Sequence, residues 1–128
     1  MSKKLFAILL LGSAMTLILI ACSATTAAPR GASSQVHMNA TNFDQSSITI
    51  KKGESITLID DAPISHIISN GTWNNGTAKP ASESGAPRVK DRQINGSGQG
   101  TIGPFTAAGT FHFYCTIHSG MALTVVVQ

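Results

Sequence analysis

The sequence is poor in cysteine and in charge, and these shortages exclude several functions. Two cysteines in 128 residues are too few for an iron–sulfur cluster, which needs about four cysteine ligands. Charged residues make up 12% of the chain, and none of them form the clustered basic face that nucleic-acid binding requires. No catalytic triad, paired-carboxylate site or phosphate-binding loop is present, so the sequence does not predict an enzyme.

The N-terminal segment is typical of an export signal. Lys3 and Lys4 precede an uncharged apolar run, residues 5–21. The run ends in Leu-Ile-Ala-Cys22, which resembles the bacterial lipobox. We therefore predict a lipoprotein signal peptide over residues 1–21 and lipidation of Cys22. An uncleaved membrane anchor is the alternative, because the run is only just long enough to span a bilayer. Both interpretations place the protein outside the cytoplasm, anchored to a membrane of the bacterial cell envelope or periplasm.

A short polar segment separates this signal from the predicted domain. Residues 22–35 are small and polar and predict a flexible tether, and residues 36–128 predict one domain. Two of the nine basic residues lie in the signal, which leaves seven against six acidic residues. We therefore expect a monomeric domain of nearly neutral charge that does not bind nucleic acid. If Cys22 is not lipidated, a disulfide between Cys22 and Cys115 is the alternative in an oxidising compartment.

The apolar pattern from Val36 onward predicts short β-strands. The segments SSITI and ESITLI alternate apolar and polar residues on either side of a turn at Gly53. Five further runs fit strands: VHMNATNF, ISHIIS, GQGTIGPFT, GTFHFYC and MALTVVV. We therefore predict an all-β fold, a Greek-key β-sandwich of about seven to eight strands. Residues 70–100 predict a long, solvated connection with at most one minor strand near Val89.

The segment FHFYCTIHSGM places three candidate metal ligands around one turn. Cys115 shares a strand face with Phe111 and Phe113, because strand side chains alternate, and the two phenylalanines mark that face as inward. The turn TIHSG carries His118, and Met121 opens the last strand. A thiolate, an imidazole and a thioether can therefore converge at one end of the sandwich.

These donor types favour copper. Thiolate and thioether suit copper(I), imidazole also suits copper(II), and two histidines with one cysteine and a weak axial methionine make an electron-transfer copper site. Structural zinc, the next candidate, prefers four cysteine or histidine ligands. The second histidine is predicted to be His66, which lies on a strand far upstream. His112 lies on the opposite strand face from Cys115, and His37 is an ordinary polar position in the first strand.

These motifs together resemble the cupredoxins, the blue-copper proteins that include plastocyanin, azurin and amicyanin. The resemblance covers the predicted domain, and the Cys-x-x-His-x-x-Met spacing is most similar to that of amicyanin. It implies one type 1 copper ion, with His66, Cys115 and His118 in a plane and Met121 as the axial ligand. The sequence departs from the family at Ile67, where an asparagine commonly links the two ligand loops. It also lacks the proline often found in the ligand loop.

The resemblance implies an electron carrier that cycles between Cu(I) and Cu(II) and is not an enzyme. Redox partners would dock transiently on an apolar patch at the exposed edge of His118, formed by Ile117, Ala122 and Ile64. A lipid-anchored copper-binding or trafficking protein with the same ligands is the main alternative. A metal-free sandwich in which Cys115, His118 and Met121 are merely packed is another alternative.

Overall fold

The structure, a computed structural model, describes residues 33–128, which form nine β-strands in two sheets. The strands are β1 (Ser33–Met38), β2 (Ser47–Ile50), β3 (Ser55–Asp60), β4 (His66–Asn74), β5 (Thr77–Pro80), β6 (Arg92–Ile94), β7 (Gln99–Ile102), β8 (Gly109–Cys115) and β9 (Ala122–Val127). One sheet has the order β1-β3-β7, and the other has the order β2-β9-β8-β4-β5, with β6 also paired to β4. Within the described range, no helix is long and apolar enough to cross a membrane.

The prediction of an all-β sandwich is confirmed, with nine strands instead of seven or eight. The two additional strands, β5 and β6, lie in residues 70–100, where we predicted one minor strand at most. Their sequences, TAKP and RQI, carry no apolar alternation, and both are held by pairing with β4. Val89 lies outside any strand and is buried, and its amide donates to Asn70 Oδ1 over 2.6 Å.

The first strand begins at Ser33, before the predicted domain boundary at residue 36, so residues 33–35 of the predicted tether are paired with β3. The predicted signal peptide, the lipidation of Cys22 and the rest of the tether lie outside the described residues.

The turn at Gly53 joins the two sheets instead of closing a hairpin. The backbone of Gly53 has a φ of 93°, a left-handed conformation that glycine adopts without strain. Before the turn, β2 pairs in parallel with β9, and after it β3 pairs with β1 and β7. The chain therefore changes sheets here.

The core lies between the sheets and determines where β8 places its last side chain. Along β3 and β9, buried residues alternate with partly exposed ones, as expected for strands with one covered face. The ring of Phe105 packs against Phe111 and Phe113, with centroid distances of 5.8 Å and 5.9 Å. Phe111 and Phe113 occupy the inward face of β8, so the next inward position, Cys115, lies at the end of the core.

Candidate metal centre

Strand pairing brings two distant parts of the chain together at this end of the sandwich. His66 is the first residue of β4, and Cys115 is the last residue of β8. The antiparallel register places Ile68 opposite Cys115, and the Thr116 amide donates to the Ile67 carbonyl over 2.8 Å. His66 therefore lies beside Cys115 although 49 positions, from 66 to 115, separate them in sequence.

Two imidazoles and one thiol meet at this point. The Nδ1 atoms of His66 and His118 are 3.1 Å apart, and His118 Nδ1 is 3.3 Å from Cys115 Sγ. One ligand atom from each of the three residues lies within 4.8 Å of the others. His66 and Cys115 are fully buried, whereas His118 is partly exposed. Two imidazole nitrogens and a soft sulfur facing one another are the donor set that copper prefers, so the residues present fit a copper ion.

Met121 is fixed next to this cluster by the backbone of the turn between β8 and β9. Its side chain is fully buried. Its carbonyl accepts a hydrogen bond from the Cys115 amide over 3.0 Å, and its amide donates to the His118 carbonyl over 3.2 Å. The turn can close this tightly because Gly120 adopts a φ of 83°. The four residues predicted as ligands therefore lie at one end of the molecule.

The other two histidines lie elsewhere, each beside a carboxylate. His37 Nδ1 is 2.6 Å from Asp61 Oδ2 on the surface. His112 Nδ1 is 2.5 Å from Glu83 Oε1, on the strand face opposite Cys115. Burial raises the pKa of Glu83, but the hydrogen bonds from His112 outweigh this effect and hold that pKa below its usual value. Neither histidine was predicted as a ligand, and neither joins the cluster.

The surroundings of His66 favour its neutral form. Burial is the largest influence and lowers the pKa of His66, the nearby Asp60 carboxylate opposes it, and the charge of His118 lowers it further. A neutral imidazole keeps a lone pair on one ring nitrogen, which is the state that binds a metal. The Cys115 thiol, the third member of the cluster, is free and buried.

The predicted docking residues lie close in sequence to the two histidines of the cluster. Ile117 is 53% exposed and Ile64 is 43% exposed, and they are the large hydrophobic side chains exposed in the part of the chain that the structure describes. Ile117 precedes His118 directly, and Ile64 lies two positions before His66. Ala122 is partly buried at the start of β9.

Sequence reasoning missed two neighbours of the cluster. The sequence Asp60-Asp61 before Pro63 is typical of a turn, and Asp60 Oδ1 does accept the Ala62 amide over 3.0 Å, but the carboxylate is also buried beside His66. Its position on the inward face of β3 was a signal that could have revealed it. Trp73 donates its indole N–H to the Cys115 carbonyl over 3.0 Å. No sequence pattern indicated that contact.

Comparison with known proteins agrees with this geometry. An all-β sandwich with histidine, cysteine and methionine at one end defines the cupredoxin class. A family model described as copper binding proteins, plastocyanin/azurin family, matches residues 31–128. Among curated proteins, plastocyanins of Ulva prolifera and Scenedesmus fuscus are 32% and 30% identical over 88 residues, covering 67% of this chain and 86% of theirs. This protein therefore belongs to the plastocyanin/azurin family of copper-binding proteins.

Solved structures of amicyanin share the fold. A reduced Cu(I) form of an amicyanin mutant aligns with a TM-score of 0.57 at 21% identity, covering 75% of this chain and 82% of that chain. Amicyanin from Paracoccus versutus aligns with the same TM-score at 19% identity, covering 75% and 81% of the two chains. At this level of identity, the likeness describes the arrangement of strands.

Proposed function

We propose that this protein is a small blue-copper electron carrier. The observation that carries the proposal is the convergence of two imidazole nitrogens and one thiol sulfur within 4.8 Å at the end of a cupredoxin sandwich. His66, Cys115, His118 and Met121 would hold one type 1 copper ion through two imidazoles, a thiolate and a thioether. Bound copper supplies a one-electron couple between Cu(II) and Cu(I). The described residues contain one such group of potential ligands, and we expect no enzymatic activity.

Backbone hydrogen bonds fix the segments that carry these donors. Cys115 is tied by strand pairing to β4 and by its amide to the Met121 carbonyl, which fixes the backbone that bears the thiol. Burial also shields the thiol from oxidation outside the cytoplasm. A donor set that is already fixed needs little rearrangement when the oxidation state changes, which favours rapid electron transfer.

His118 is the residue through which we expect electrons to enter and leave, because it is the one partly exposed member of the cluster. Partners would dock on the apolar surface around it, formed by Ile117, Ala122 and Ile64, and the small size of this surface suits a transient encounter. Ile117→Asp should slow electron transfer with a redox partner at least about fivefold without changing the visible spectrum. Thr77→Asp, on the exposed strand β5, is the control for added charge. Equal rates in both variants would contradict this docking surface.

We further propose that the protein works outside the cytoplasm as a monomer anchored through lipidated Cys22. The apolar run before Cys22 supports the export signal. Mass spectrometry of the membrane fraction should find the lipid on Cys22, and Cys22→Ser should move the protein to the soluble fraction. A protein that stays in the membrane after this change would favour the uncleaved anchor.

The visible spectrum during titration with copper(II) tests the proposed function. The wild-type protein should develop an intense blue thiolate-to-copper band, and the isosteric Cys115→Ser variant should not. The blue protein should then be reduced and reoxidised repeatedly without losing metal. A protein that binds copper(I) without the blue band, and transfers it to an acceptor, would favour copper trafficking. A wild-type protein that shows neither the blue band nor copper(I) binding would indicate that the residues of the cluster are only packed together.

A further inference from the structure

A buried carboxylate faces the outer nitrogen of His66. The side chains of Asp60 and His66 are both 0% exposed, and Asp60 Oδ1 lies 3.7 Å from His66 Nε2. The inner nitrogen of the same ring, Nδ1, faces His118 and the cluster. The imidazole of His66 therefore lies between the metal-binding donors on one side and a carboxylate on the other.

Asp60 and His66 each have one buried polar atom without a hydrogen-bond partner. Two buried side-chain polar atoms in the described residues lack a hydrogen-bond partner, and they are Asp60 Oδ2 and His66 Nε2. Buried polar atoms in folded proteins nearly always have partners, so each unpartnered atom needs an explanation. Asp60 is also the one buried acidic side chain within residues 33–128. A carboxylate is costly to bury, and its Oδ1 bond to the Ala62 amide accounts for only one of its oxygens.

Metal binding by the inner nitrogen explains why a carboxylate would be useful here. When Nδ1 of a histidine binds a metal, its Nε2 must carry the ring proton and becomes a hydrogen-bond donor. Histidine ligands commonly donate this proton to a carboxylate, a backbone carbonyl or water, which fixes the tautomer and the ring orientation. The Asn39 backbone is close enough to influence the ring and is the competing acceptor, but Nε2 makes no hydrogen bond to it within ordinary distance and angle limits.

We propose that Asp60 is a positioning residue of the copper site, accepting the Nε2 proton of His66 and lowering the reduction potential through its negative charge. The inference rests on the proposed function, because it assumes that His66 Nδ1 is a copper ligand. A buried negative charge behind a ligand stabilises the more positive Cu(II) state relative to Cu(I). Little solvent reaches this carboxylate to screen its charge.

The test compares the reduction potentials of two aspartate variants in the copper-loaded full-length protein. Asp60→Asn removes the charge and keeps an oxygen that can accept the Ala62 amide. Asp61→Asn is the matched control, because it removes the same charge from a neighbouring side chain that is 52% exposed. Asp60→Asn should shift the equilibrium towards Cu(I) by about tenfold or more, which is about 59 mV for one electron. Asp61→Asn should shift it much less.

A second readout follows the ring proton directly. In the diamagnetic Cu(I) protein, the His66 Nε2 proton should give a slowly exchanging downfield NMR signal that moves upfield in Asp60→Asn and stays in place in Asp61→Asn. Equal potentials and unchanged proton signals in both variants would overturn the inference and point to the Asn39 backbone as the acceptor.

Two further outcomes keep the test decisive. If Asp60→Asn does not fold, Asp60→Ser removes the charge while its hydroxyl can still accept the Ala62 amide. If Asp60→Asn and Asp60→Ser both fail to fold while Asp61→Asn folds normally, the carboxylate is needed for the fold, and the inference is overturned. Absence of the blue band in the wild-type protein would instead contradict the proposed function.

Discussion

Replacement of Met121 by leucine separates its structural role from its proposed role as a copper ligand. The side chain is fully buried, so truncation to alanine would leave a cavity and cost about 2–5 kcal/mol. Leucine nearly conserves the volume, and such exchanges in cores usually cost less than about 1.5 kcal/mol. The fold should therefore survive, while the thioether is lost.

The chain offers a matched control for this change. Met38, in β1, is also fully buried and is not among the proposed ligands. Met38→Leu and Met121→Leu should therefore reduce the stability of the metal-free protein by similar amounts, each below about 1.5 kcal/mol. Only Met121→Leu should change the copper site. Without the thioether, the site loses an electron donor and becomes more apolar, which disfavours the more charged Cu(II) state and should raise the potential.

The assay combines urea unfolding of both metal-free variants with visible spectra and redox titration of the copper-loaded proteins. A tenfold change in the Cu(II)/Cu(I) equilibrium corresponds to about 59 mV, which a redox titration resolves easily. We expect a rise of that order in Met121→Leu and little change in Met38→Leu. If the spectrum and the potential are the same in both variants, Met121 is a packing residue and its assignment as a copper ligand is wrong.

Two further predictions concern the face of the sheet around Tyr114 and His112. The pKa of Glu83 is held below its ordinary value of 4.5, so its bond to His112 stabilises the fold above that value, and this stabilisation is lost as the pH falls through the lowered pKa. The midpoint of urea unfolding should therefore fall less steeply with decreasing pH in Glu83→Gln than in the wild-type protein. Parallel plots of midpoint against pH for the two proteins would contradict this prediction. Gly71 has a φ of 132°, and a Cβ there would lie 2.4 Å from the Lys79 carbonyl oxygen and 2.9 Å from the Tyr114 ring, so Gly71→Ala should cost about 2–3 kcal/mol. Gly76→Ala is the control, because a Cβ at Gly76 (φ of 71°) meets nothing within 4 Å and adds only backbone strain, about 1 kcal/mol. Equal losses in thermal or urea unfolding would show that the close contacts with Lys79 and Tyr114 are not responsible.

The cluster could be predicted because its residues are close in sequence or follow the regular alternation of side chains along a strand. Phe111, Phe113 and Cys115 follow the period of two that governs strands, and the buried face of β8 bears this out. The choice of His66 over His112 used the same rule, since His112 lies on the outer face against Glu83. The strands predicted from apolar alternation are likewise present.

Elements without a periodic signal could not be predicted in this way. Strands β5 and β6 are short and mostly exposed, and they are held by pairing with β4, β6 along residues 66–68 and β5 along residues 71–74. The contact of Trp73 with the Cys115 carbonyl joins residues 42 positions apart, and only the register of β4 against β8 creates it. The turn chemistry of Asp60 was readable from its neighbours in sequence and is confirmed by its bond to the Ala62 amide, whereas its position beside His66 is defined by the three-dimensional fold.

The departure from the family at Ile67 shows how the two ligand segments can be linked without an asparagine side chain. The Ile67 carbonyl accepts the Thr116 amide, which directly follows Cys115, so the backbone makes the link between the strand of His66 and the ligand turn. Within the turn, the amides of Cys115 and Met121 close a second pair of bonds. These links depend on strand register and not on any one side chain. Substitutions at residue 67 should therefore alter the site mainly through packing, and the positions of the ligands should be preserved as long as β4 and β8 stay paired.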